Sequence, residues 1–176
     1  WQDERNGNWD IYLRTINPNG TLGEEVQVTT DNGRQRSPVI SGNTIVWQDE
    51  RNGNWDIYLR TINPNGTLGE EVQVTNNSAQ QWDPAISGNT IVWMDYRNGN
   101  RDIYLRTINP DGTLGEEKQV TNHGTDQETP VISGNTIVWQ DKRNGNTDIY
   151  LRTINPDGTL GEEVQVTNNS AQQWDP

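Results

Sequence analysis

The chain has 176 residues, a formal net charge of −12 and only 29% apolar side chains. Even with its 17 glycines added it falls short of the roughly 45–50% apolar share of globular domains, so composition alone points toward disorder. No apolar run is long enough for a membrane span, the absence of Cys excludes disulfides and thiolate metal sites, and the acidic excess argues against a nucleic-acid partner.

Periodicity overrides the composition. Trp1, Trp47, Trp93 and Trp139 open four copies of a 46-residue repeat, and the first 29 residues of the first two copies are identical. Repeats of 20–50 residues indicate solenoids, propellers or arrays. In the second copy, Pro38 to Ser41 reads as a first strand, A, closed by Gly42 and Asn43. Thr44 to Glu50, centred on Ile45, Val46 and Trp47, reads as strand B. Arg51-Asn52-Gly53-Asn54 is a hairpin turn, since Asn-Gly supplies the positive φ angles a tight turn needs. Asp56 to Ile62 is strand C, Asn63-Pro64-Asn65-Gly66 a second turn, and Glu71 to Thr75 strand D, where Val72 and Val74 alternate with Glu71 and Gln73. A loop to Pro84 leads into the next strand A, and no helical period appears anywhere.

Four antiparallel strands in a repeat of this length predict a β-propeller blade. Blades cover one another face to face, so each needs only a thin apolar layer that its neighbour completes. The expected division is a partial blade of strands B, C and D with its loop at residues 1–37, blades at 38–83 and 84–129, and a blade with a trailing loop at 130–176. All belong to one propeller domain, about four blades per chain with the last ring position incomplete. That incompleteness makes a further copy of the chain an expected partner, through ring completion or domain swapping.

Ile45-Val46-Trp47-Gln48-Asp49, Arg51-Asn52-Gly53-Asn54 and Asp56-Ile57-Tyr58-Leu59 resemble the TolB-type propeller repeat, and the motif covers essentially the whole chain. The resemblance implies an extracytoplasmic or cell-surface setting. The turn Ser41-Gly42-Asn43-Thr44 is shorter than the family's usual Ser-Pro-Asp-Gly stretch, so a role in envelope integrity does not carry over.

The copies differ in two places, the D–A loops and the positions flanking the B–C turns, and a meander puts both on one rim. Loops on a rigid scaffold carry binding. Trp9, Trp55, Tyr96, Arg101, Trp82, His123 and Trp174 are therefore the candidate ligand-binding residues, for a protein or for a sugar stacked on an aromatic face.

Other motifs read as scaffold. Asp49, Arg51 and Asp56, with their counterparts Asp3, Arg5, Asp10, Asp95, Arg97, Asp102, Asp141, Arg143 and Asp148, are expected to bind one another and to brace each hairpin. The segment lacks the Asp-x-Asp-x-Asp-Gly spacing of a calcium loop and carries an Arg inside it, so no metal and no cofactor is expected. Arg60 needs a carboxylate, with Asp56 or Asp49 as the expected partner, and the adjacent pair Glu70-Glu71 reads as a solvated strand edge. His123 is the only His, and every other polar motif recurs blade after blade, whereas catalysis needs one asymmetric site. The expected protein is a non-enzymatic scaffold.

Overall fold

The computed structural model describes all residues from Trp1 to Pro176 and contains only strands and turns. The first sheet has three strands, β1 (Gln2–Asp3), β2 (Asp10–Ile16) and β3 (Leu22–Gln27). The second is β4 (Gln35–Ser41), β5 (Thr44–Asp49), β6 (Asp56–Ile62) and β7 (Leu68–Gln73). The third is β8 (Gln81–Ser87), β9 (Thr90–Asp95), β10 (Asp102–Thr107) and β11 (Lys118–Gln119). The fourth is β12 (Gln127–Ser133), β13 (Thr136–Asp141), β14 (Asp148–Thr153) and β15 (Val164–Gln165). Every pairing is antiparallel between consecutive strands, which is the meander of a propeller blade.

Four strand limits differ from the sequence reading: the start of strand A, the end of strand B, which stops at Asp49, and both ends of strand D. Strand A begins at Gln35, ahead of Pro38. A bulge between Arg36 and Val39 lets it do so, with Ser37 in the left-handed region at φ 52°. Pro38 sits in the bulge, where the donor it lacks is not needed. The Ser37 N–H, freed from the ladder, donates to Gln2 Oε1 of the preceding sheet at 3.0 Å. Strand D runs from Leu68 to Gln73 and stops short of Thr75. There the Thr75 hydroxyl, and not its backbone, meets the Ile57 N–H at 2.8 Å.

Alternation decides what each face buries. Ile45, Trp47 and Asp49 lie opposite Arg60, Tyr58 and Asp56 and share the face toward the preceding sheet. They meet Ile11 and Val28 in one apolar cluster. Val46, Ile57 and Leu59 share the other face and meet Ile91, Trp93 and Tyr104 of the next sheet. The same arrangement recurs with Ile103 and Val120 against Ile137, Trp139 and Tyr150. Packing therefore links each sheet to its successor, as in other repeat arrays. Trp47, Trp93 and Trp139 are fully buried at these junctions. Each stacks on the Tyr across the strand pair, Trp47 on Tyr58 at 6.3 Å between ring centroids. An Arg locks each junction: Arg60, Arg106 and Arg152 donate to the carbonyls of Val28, Val74 and Val120 in the preceding sheet, each at 2.6 Å.

Candidate functional site

Turns group on two rims. The A–B and C–D turns share one, where the Asn43 side chain donates to the Ile62 carbonyl at 3.2 Å and the Asn43 carbonyl accepts the Ile62 N–H at 2.7 Å. The B–C turns and D–A loops share the other. Asn54 Nδ2 reaches the carbonyls of Asn77 and Ala79 at 3.2 and 3.0 Å, and Trp55 receives the Gln81 N–H on its carbonyl at 2.8 Å. This second rim carries the residues that vary among the copies.

Beneath it each hairpin is braced by a polar network. Asp49 is fully buried and accepts from Trp47 Nε1 at 3.1 Å, from the Arg51 N–H at 3.0 Å and from the Arg51 guanidinium at 2.5 Å. Arg51 also reaches Glu71 at 2.8 Å and lies 4.3 Å from the centre of the Tyr58 ring. Burial works to lower the Arg51 pKa, but Asp49 and Glu71 outweigh it and hold the guanidinium above its ordinary value. Arg97 with Asp95 and Glu117, and Arg143 with Asp141 and Glu163, repeat this geometry. Arg5 pairs with Asp3 and Glu25 in the first sheet.

Asp56 stands apart from that ion pair. Its carboxylate accepts from Asn52 at 2.9 Å, Asn54 at 3.2 Å and Gln73 at 3.1 Å. Burial pushes its pKa up and the three amides pull it back, and at Asp102 burial is likewise opposed by Asn98, Asn100 and the Thr121 hydroxyl. Asp10 and Asp148 take amide donors in the same way, from Asn6 at 3.2 Å and Asn144 at 3.0 Å. The turn thus presents amide N–H groups to its carboxylate, leaving few free oxygens of the kind calcium requires. No group of three or more His, Cys, Asp or Glu side chains is placed to hold a metal ion.

The expected carboxylate partners of Arg60 are not the ones it finds. Asp56 is on the same face but four residues away along an extended strand, about 13 Å. Arg60 instead donates to the Gly69 carbonyl at 2.6 Å and to Val28, with Glu71, directly opposite on β7, at 3.6 Å. The Glu71 series is therefore part of the network and not a solvated edge. Its sequence signal was the recurrence of a Glu twenty residues after each turn Arg, a spacing that identity between copies disguises as mere repetition.

On the variable rim the candidate ligand residues fall into separate groups. Trp9 is half-buried with the Arg36 guanidinium 5.1 Å from its ring. Trp82 and the exposed Tyr96 pair at 6.4 Å between centroids, with the rings tilted by 50°. The half-buried Trp55 is anchored beside them by its N–H, which donates to Gln80 Oε1 at 2.9 Å. Arg101 pairs with Glu128, which also binds Lys142 at 2.5 Å. His123 folds back onto its own loop, its Nδ1 3.0 Å from Thr125 Oγ1. Trp174 is 60% exposed and borders a shallow cavity of about 330 Å³ with Lys142, Asn146, Thr147 and Gln172.

No family model matches the sequence, and no curated protein matches it. Among solved structures, the chain superposes on TolB of Acinetobacter baumannii with a TM-score of 0.61 at 19% identity, over 93% of this chain and 39% of that one. The fold is TolB-like. TolB of Agrobacterium tumefaciens gives a TM-score of 0.65 at 20% identity, over 94% of this chain and 65% of the other. The tricorn protease gives 0.53 at 10% identity, covering 94% of this chain and 22% of that protein. The chain thus spans less than two thirds of each of these neighbours, and the likeness is one of blade architecture.

Proposed function

We propose that the chain is a non-enzymatic propeller scaffold that binds a partner protein on the rim of B–C turns and D–A loops. One observation carries this reading. A scaffold that repeats almost residue for residue places its variation on one rim and sets an aromatic pair there, the half-buried Trp82 against the exposed Tyr96. Rigid aromatic side chains supply large contact area at low entropic cost and anchor many interfaces. The polar motifs beneath are spent on bracing the hairpins, so none is left as an acid, base or nucleophile. The test is capture of a binding protein by the intact chain and by a Trp82→Ala, Tyr96→Ala variant of unchanged fold. Loss of the captured protein in the variant supports the reading; identical capture overturns it.

A second reading is favoured by the cavity beside Trp174. An exposed indole beside the Gln172 amide and Lys142 offers a stacking face and polar donors suited to a saccharide, while the Asn146 amide is held by the loop carbonyls of Asn169 and Ala171. A glycan array probed with the intact chain and with Trp174→Ala separates the two readings. Trp1 and Val166 are 47% and 53% exposed, while their counterparts Trp47 and Val120 are buried at junctions, so each of these faces accepts a further blade, and a second copy of the chain is one source of it. Native mass spectrometry reads that directly.

A further inference from the structure

The sheet-to-sheet junctions share one apolar interior. Each sets an Ile and a Val of one sheet against an Ile, a Trp and a Tyr of the next, and each is locked by one Arg-to-carbonyl bond of 2.6 Å. These apolar residues do not tell the second sheet from the third or fourth; beside them Met94 stands where Gln2 and Gln48 accept the N–H groups of Ser37 and Asp83. An array so built can dock any sheet on any other, within the chain or between copies, a hazard of repeats with near-identical units.

The rim differs at each junction, and there the variable residues meet across it. Trp9 of the first sheet faces Arg36 of the second, a cation over a ring at 5.1 Å. At the same two positions between the third and fourth sheets stand Arg101 and Glu128, an ion pair, with Asp126 3.6 Å from the Arg101 guanidinium and accepting the Arg101 backbone N–H at 3.1 Å. Lys142 closes on Glu128 from the fourth sheet's own turn. At the same two positions between the second and third sheets stand Trp55 and Trp82, and Trp82 packs on Tyr96 of its own sheet, where the fourth sheet has Lys142. At the two junctions where these side chains touch, both sides change together: ring with cation at one, cation with carboxylate at the other.

We propose that these rim pairs are a register code, selecting which sheet docks on which and guarding the array against exchange between copies. The code discriminates by misfit as well as by fit. The second sheet docked on the third would set Arg36 against Arg101. The fourth docked on the first would take Glu128 from Arg101 and lay it against the ring of Trp9. The third docked on itself in a second copy would bring Trp82 to Arg101 and leave Asp126 and Glu128 without their guanidinium. This role belongs to side chains that turn toward one another, and it is independent of any partner bound on the exposed Tyr96 side.

The experiment is refolding from denaturant over a range of protein concentrations, with the products sized and weighed by chromatography and light scattering. Arg101→Glu sets a new carboxylate against Asp126 and Glu128. In this variant the ratio of exchanged multimer to monomer is expected to rise about tenfold, the equivalent of ~1.4 kcal/mol of lost preference. Reversing the whole set, with Arg101→Glu, Asp126→Asn, Glu128→Arg and Lys142→Glu, is expected to restore the wild-type ratio. The Asp126→Asn change removes a charge but keeps a side-chain oxygen to accept the backbone N–H at position 101. Val74→Ala weakens a junction interior without touching the rim, and it is expected to lower stability while leaving the ratio unchanged. The proposal is overturned if the reversed set stays multimeric, if Arg101→Glu leaves the ratio unmoved, or if Val74→Ala raises it as far.

Discussion

The two rims of this molecule are made by the same four strands and obey different rules. On the A–B and C–D rim the sequence hardly changes between copies, and the reason is in the backbone. Gly42, Gly88 and Gly134 hold φ at 57°, 56° and 58°, where a side chain is strained. Asn65 Oδ1 accepts from both the N–H and the hydroxyl of Thr67, at 3.1 and 2.7 Å, and closes the second turn with side-chain chemistry that only Asn or Asp supplies. On the opposite rim the turn Arg-Asn-Gly-Asn is equally invariant, with its Gly at φ near 90°, but the network beneath engages only the turn residues, so the side chains flanking them and those of the D–A loops are free to differ. Invariance on one rim and variation on the other thus have one origin: where the turn itself is the structure the residues are fixed, and where a core network holds the turn they are released.

The strongest way to break that comparison is to remove the network. Asp95→Ala should cost about 3–5 kcal/mol in denaturant unfolding, because it leaves Arg97 half-buried without its main carboxylate. A loss below about 1 kcal/mol would mean the variable rim is not held from below. On the invariant rim Gly88→Ala should cost about 1–2 kcal/mol, the left-handed penalty alone, since no atom lies within 4 Å of the added Cβ. A larger loss would reveal packing that the turn geometry does not contain. Arg101→Ala should lower stability by only about 0.2–1 kcal/mol, since its side chain is 38% exposed and the pair is screened. Its larger effect belongs in the refolding products.

The smallest effect concerns pH. Hydrogen bonds from Thr113 hold the Asp111 carboxyl below its ordinary value of 3.8, and Thr159 does the same for Asp157. A lowered folded pKa contributes stability that is present above 3.8 and is lost as the pH falls through the folded value. Asn already occupies these turn positions at Asn19 and Asn65. Asp111→Asn with Asp157→Asn should therefore unfold like the wild type near neutral pH and retain more stability below that window. Parallel acid unfolding of the two proteins would contradict this. Asp56 and Asp102 work in the opposite sense, because burial raises their pKa and their protonation on acidification offsets part of the loss.

The fold was legible because its signals are local and are repeated four times. Trp-centred strands, Asn-Gly turns and a 46-residue period define antiparallel blades before any contact is known. Of the strand edges that escaped, two have a plain cause. A Pro reads as a strand boundary unless a bulge absorbs it, as Ser37 allows before Pro38. A Thr reads as a strand residue unless its hydroxyl takes the acceptor role of the ladder, as at Thr75 toward the Ile57 N–H.

The site was legible as a place and not as an arrangement. Meander topology and a comparison of the copies were enough to gather Trp9, Trp55, Trp82, Tyr96, Arg101, His123 and Trp174 onto one rim. Which of them meet was a matter of how one sheet lies on the next. The pairing of Arg101 with Glu128 spans 27 residues and two sheets. The partnership of Arg60 with Val28 and Glu71 likewise belongs to a junction and to a cross-strand neighbour. Sequence periodicity determines which face a side chain takes, because alternation along a strand is a property of the backbone. The partner it finds there is decided only when two faces are brought together, since both distance and desolvation come from the packing.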